Sequence, residues 1–162
     1  MTRDTTMAGG TSESPPARAG DRRYRSKFVA TWLAILFGTL GAHRFYLYGA
    51  RDALAWLHVP VFVLGLAGAL RMDRFGQDDP AAWLLVPVLG LLISQSMFAA
   101  ILYGLTPDER WDARFNPGSP GRATAWGPIL GVILALMVGT GVLMGVIAYS
   151  TQKIFEWQAG QL

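Results

Sequence analysis

The sequence predicts an all-α membrane protein with four transmembrane helices paired as two hairpins. Three observations predict it. The 162-residue chain is 52% hydrophobic and only 15% charged, where a soluble domain carries about 25% charged residues, and its mean hydropathy is positive at +0.31. The apolar residues are clustered, with no charged residue between Ala81 and Leu105 or between Ala125 and Ala148, and runs of that length suit a bilayer crossing. Small residues also recur every fourth position in the last run, at Gly127, Gly131, Ala135 and Gly139, with Gly141 and Gly145 a further pair. That spacing lets two membrane helices approach closely, whether the partner is in the same chain or in a second copy.

Composition excludes several chemistries. With no cysteine there is no disulfide, thiol nucleophile or cysteine metal site. His43 and His58 are the two histidines, too few for a histidine-rich metal centre, and no cofactor is expected. The net charge of +3 comes from basic residues at the edges of apolar runs, where membrane insertion needs them, and they form no nucleic-acid patch. Twelve of the fourteen basic residues are arginine, a composition compatible with GC-rich bacterial coding.

Residues 1–21 are small and polar, with Gly9-Gly10 and Pro15-Pro16. They bury too little to offset ordering entropy, so a disordered tail is expected. It lacks the apolar core of a cleavable signal peptide, which leaves the first span as the insertion signal. Arg22, Arg23, Arg25 and Lys27 follow. Such a cluster attracts anionic lipid, but beside a first span it reads more simply as a topology determinant.

The first span presents a length problem. Phe28 to Ala42 would rise only about 22 Å against a hydrocarbon core of about 30 Å. Extending it from Tyr24 to Arg44 gives about 31 Å, with Arg25 and Lys27 snorkelling at one face and Arg44 at the other. The second span, from about Ala53 to Leu70, contains Trp56, His58 and Pro60. Pro60 deprives the Trp56 carbonyl of its donor and predicts a kink, and His58 is near enough to satisfy that region. The loop to Asp79 holds Asp73, Asp78 and Asp79 beside Arg74, and capping acids are preferred there over a cation site. Asp79 suits an N-cap with Pro80 at the first helical position.

The third span, from about Ala81 to Leu105, carries Pro87 and the polar trio Ser94, Gln95 and Ser96. These side chains suit a pore lining, or more simply bonds to a neighbouring helix or to their own carbonyls. In the loop from residue 106 to 124, Thr106, Pro107 and Glu109 spell a capping box for a short interfacial helix, with Trp111 and Phe115 expected to dip toward lipid. The fourth span runs from about Trp126 to Tyr149, and the tail from Thr151 reads as an interfacial extension. Residues 22–75 thus form one two-span module and residues 76–162 a second.

Four spans would put both termini on one face. That face would hold Arg3, Arg18, Arg22, Arg23, Arg25, Lys27, Arg71, Arg74 and Lys153, against Arg44, Arg51, Arg110, Arg114 and Arg122 on the other. The excess makes the termini cytoplasmic in a bacterial inner membrane.

The segment "KFVATWLAILFGTLGAHRFYLYG", Lys27 to Gly49, resembles the TM2 domain, a two-span module. Gly41, Ala42, His43, Arg44, Phe45, Tyr46 and Leu47 match its core pattern, and Asp73 stands where the family has a closing acid. Tyr48 is one residue more than the usual pattern before the glycine, and the tryptophan that often precedes the acid is missing. The resemblance covers residues 24–75 and is greatest to bacterial members extended by two further spans, sometimes called NINE proteins. It implies a fold and a membrane location but no reaction. It also implies a cytoplasmic turn, opposite to the charge count. Gly41, His43, Arg44, Phe45 and Tyr46 are therefore the motif and interface candidates.

Three functions follow. The preferred one is a non-enzymatic scaffold or interaction module whose partners are the lipid bilayer and a membrane protein or second copy. The alternative is a small oligomeric channel or transporter using Ser94, Gln95 and Ser96. An intramembrane enzyme ranks last, because His43 and His58, on antiparallel spans, are expected several helical turns apart in depth.

Overall fold

A computed structural model describes residues 24–119 and 123–160, so the expected disordered tail, residues 1–21, lies outside the described residues. All regular elements described are helices: α1 (Lys27–Phe37), a 3-10 turn (Gly38–Leu40), α2 (Ala42–Tyr48), α3 (Ala53–Phe75), α4 (Pro80–Leu105), α5 (Asp108–Phe115) and α6 (Gly127–Ala159). Three of them, α3, α4 and α6, are long and apolar enough to cross a membrane.

The helix ends follow local chemistry. Asp52 caps α3 by accepting from the Leu54 N–H, and Asp79 caps α4 by accepting from Ala82. Pro80 occupies the first position of α4, as the sequence predicts. Gly76, with φ of 84°, ends α3, and its N–H donates to the Met72 carbonyl. Arg71 donates through Nε (2.8 Å) and a terminal nitrogen (2.7 Å) to the two oxygens of Asp79, closing the turn between α3 and α4. This bidentate bond holds the Asp79 carboxyl below the usual carboxylate range. The expected capping box is not formed. The Thr106 hydroxyl instead donates back to the Leu102 carbonyl (2.6 Å), and Pro107 occupies the N-cap of α5.

Helix α4 is the axle, packed against α1, α3 and α6. Seven of the eleven buried apolar residues described are alanine, so the helices meet backbone to backbone rather than through interdigitated large side chains. Glycines bring α3 onto α4. A Cβ on Gly65 would lie 2.8 Å from the Leu89 Cα, and one on Gly68 would lie 2.8 Å from the Leu85 carbonyl carbon. On α6, a Cβ on Gly131 would lie 2.9 Å from a Thr31 methyl, and one on Gly139 2.8 Å from the Met97 Cβ. Gly127 faces Phe28, and Ala135 joins Ala34, Met97 and Ala100 in a core cluster. Gly141 and Gly145 have no atom within 4 Å of an added Cβ. They lie about 200° and about 240° around the helix from Gly139, and the described chain does not pack another segment against them.

The first span departs from expectation. Helix α1 starts beside the C-terminal end of α4, where the Lys27 ammonium donates to the Thr106 carbonyl. It runs antiparallel to α4 only as far as Ser96, where a Cβ on Gly38 would lie 2.6 Å from the Ser96 Cβ. Gly41 then adopts a φ of 75° and turns the chain. Helix α2 returns along α1, and the Tyr46 hydroxyl accepts from the Ser26 N–H (2.8 Å). Of the four spans expected, three are present as long apolar helices, and the first is a shorter apolar helix that continues into a hairpin. Eleven helical residues and one 3-10 turn rise about 22 Å, and extension through Arg44 is blocked by the turn at Gly41. The described chain thus begins at one end of α4 and finishes at the other, where Lys153 meets Asp78 (3.4 Å).

Candidate functional site at the hairpin turn

The motif folds into the turn and return arm of the hairpin. A Cβ on Gly41 would lie 2.7 Å from the Ala55 carbonyl oxygen, so Gly41 is needed both for its positive φ and for its contact with α3. Gly49 has a φ of 83° and nothing within 4 Å, so there the demand is conformational alone.

Each following side chain is used inside the chain. His43 is 1% exposed, and its ring lies 5.8 Å from those of both His58 and Tyr103. Arg44 donates from Nε to Asp52 (2.8 Å), and that bond holds the Asp52 carboxyl below its ordinary range. The Arg44 guanidinium also sits over the Tyr48 ring at 5.2 Å. Phe45 meets Trp56 edge to face at 5.2 Å. Leu47 is buried against Ala30 and Trp111, and Tyr48 accepts from Arg114 (3.3 Å).

Arg44 is tied to Asp52 because the return arm places it beside the N-cap of α3. One expectation about this site is corrected. His43 and His58 were expected far apart in depth; the turn at Gly41 brings them together. His58 Nδ1 bonds the Leu54 carbonyl (2.7 Å) rather than Trp56, and its Nε2 meets Gln95 Oε1 (3.2 Å). The Asp52 carboxylate, which follows the motif, is already bound to Arg44. No group of three or more histidines and carboxylates with metal-site geometry occurs among the described residues.

A lid of residues that sequence reasoning assigned otherwise closes the hairpin. Trp111 is 2% exposed, not turned toward lipid, and its indole N–H donates to the Arg25 carbonyl (2.7 Å). The Asn116 side chain accepts from the Arg25 N–H (2.7 Å) and donates to the same carbonyl (3.2 Å). Lys27, expected to snorkel, is buried and paired with Asp108. Burial alone would push the Asp108 carboxyl up, but bonds from Lys27 and from the Thr124 hydroxyl and N–H outweigh it and hold it at about 2. The amphipathic pattern of α5 signals a buried face, but nothing in the sequence says that the face covers α1.

Three apolar helices of spanning length around an alanine-rich seam define a helical membrane-type protein. Within it, residues 23–70 match the family model of the TM2 domain, which places that domain on the hairpin and most of α3. Asp73 lies beyond the match. No curated protein and no solved structure matches the chain.

Proposed function

We propose that the chain is a multi-pass protein of the bacterial inner membrane that works as a non-enzymatic scaffold or interaction module. On this reading α3, α4 and α6 cross the bilayer, and α1 and α2 form a re-entrant hairpin. Its contacts are lipid and a membrane-protein partner or second copy. The observation that favours a module over a pore is the fate of the polar residues of α4. Ser94 and Ser96 donate to the Gly90 and Leu92 carbonyls of their own helix (both 2.9 Å), and Gln95 bonds His58. Packing thus takes up the side chains a channel would need along its path.

The re-entrant geometry also revises the orientation. Arg25, Lys27, Arg44, Arg51, Arg110 and Arg114 belong to the hairpin end, against Arg71, Arg74 and Lys153 at the other. The hairpin end is then cytoplasmic by the positive-inside rule, and the end of α6 faces the opposite compartment.

The native absence of cysteine makes the topology directly testable. Ser26→Cys and Arg51→Cys should react with an impermeant maleimide from the same side, and Gln77→Cys and Gln158→Cys from the other. Labelling of Ser26→Cys and Arg51→Cys from opposite sides restores a crossing first span. Flux through the purified chain in liposomes would overturn the module reading in favour of a channel.

A further inference from the structure

The hairpin end carries a groove that packing leaves open. It has a volume of about 640 Å³ and is lined by Tyr24, Arg25, Phe45, Tyr46, Arg114, Phe115 and Pro117. One wall comes from the segment entering α1, one from α2 and one from α5. Two guanidinium side chains and four aromatic rings therefore face one space. Neither Arg25 nor Arg114 is paired with a carboxylate among the described residues. Arg114 is held in place by neutral partners, the Tyr48 hydroxyl (3.3 Å) and the Phe115 ring (5.3 Å). Asp112, which precedes Arg114 on α5, is engaged by Tyr24 (3.1 Å) and by the Asn116 side-chain amide (2.8 Å).

We propose that this groove binds the phosphate of an anionic glycerophospholipid, held between Arg25 and Arg114 with an acyl chain against Phe45 and Phe115. Charge complementarity selects the occupant: two arginines without a carboxylate among the described residues call for an anion, and arginine forks suit phosphate oxygens. The aromatic wall selects a ligand with an apolar portion, and the outward route is apolar too, because Phe45 leads to Trp56, which is 57% exposed. The groove lies at the level where α4 ends and α5 begins, the depth of a headgroup if α4 spans the bilayer. The inference rests on the membrane reading. That reading fails separately, if the chain is recovered in the soluble fraction.

The test is native mass spectrometry of the full chain in detergent, titrated with phosphatidylglycerol, phosphatidylcholine or glycerol 1-phosphate. Phosphatidylglycerol should bind in preference to phosphatidylcholine. The preference should weaken about fivefold with Arg25→Gln or Arg114→Gln and about thirtyfold with both, as expected for one basic residue each near an anionic headgroup. Arg74→Gln, at the opposite end, should leave it unchanged. Unfolding temperatures matching the parent would show that the variants fold, and if they do not, Arg25→Lys and Arg114→Lys provide the comparison. Equal binding of the two lipids, or a preference indifferent to Arg25→Gln and Arg114→Gln, overturns the proposal. Glycerol 1-phosphate binding as tightly as the lipid also overturns it, and assigns the groove to a soluble phosphate.

Discussion

The two ends of α4 are held by different physics. At the hairpin end the chain is tied by polar bonds between distant segments: Lys27 to Thr106 and Asp108, Trp111 and Asn116 to Arg25, Tyr46 to Ser26. At the other end, besides the Arg71–Asp79 and Lys153–Asp78 pairs, α3 and α6 lie on α4 through glycines, with Gly65 and Gly68 against Leu89 and Leu85, and Gly90 against Val146. The contrast follows from length. Long apolar helices can be held by close backbone approach and lipid around them. A hairpin that stops at Ser96 brings its ends and its turn among other helices, so each exposed backbone group needs a named partner.

Substitutions can break this contrast or sharpen it. Gly41→Ala should have the largest effect. The left-handed conformation costs about 1–2 kcal/mol, and the Ala55 carbonyl cannot withdraw without moving α3, so a loss near 3 kcal/mol in detergent unfolding is expected. Gly68→Ala tests the other end, where the Leu85 backbone receives the new methyl, and should cost about 1–3 kcal/mol. A Gly68→Ala variant as stable as the parent would mean that close approach does not hold α3 on α4.

Lys27→Met should cost about 2 kcal/mol, as the loss of a hydrogen bond to a charged group, and should also change the acid limb of stability. The Asp108 carboxyl is depressed to about 2, so its contribution is complete above the ordinary carboxylate range and is lost as pH falls toward 2. With methionine at residue 27 that acid-side loss should shrink, leaving only what the Thr124 bonds maintain. A profile that does not change would mean the pair contributes nothing. The smallest effect belongs to Gly141→Ala, expected within about 0.5 kcal/mol because no atom lies within 4 Å. A large loss there would place a second molecule on that face of α6.

The long helices were legible because their signals are local. The charge-free run and the Asp79-Pro80 pair predict α4 nearly to the residue. The stripe from Gly127 to Gly139 likewise marks the face of α6 that meets α1 and α4, whereas Gly65 and Gly68, which bring α3 onto α4, carry no such repeat. The hairpin was less legible. Its one clear symptom, a first apolar run about 8 Å too short for the hydrocarbon core, was absorbed by extending the span through Gly41 to Arg44. A glycine followed at once by a histidine and an arginine marks a return as well as an exit, and the choice depends on Ala55 and Ser96, which are remote in sequence. The burial of Lys27 and Trp111 was hidden for the same reason, because their partners lie 81 and 86 residues away.

That separation has a consequence for the order of assembly. Asp108, Trp111 and Asn116 leave the ribosome some 80 residues after Lys27. At about 5–20 residues per second, the entry arm waits roughly 4–16 s for the lid that seals it. Until then the Lys27 ammonium and the Arg25 carbonyl are without their final partners, so this arm must stay in water or among headgroups. The entry arm is therefore made before the segments that seal it, yet reaches its final place only after them.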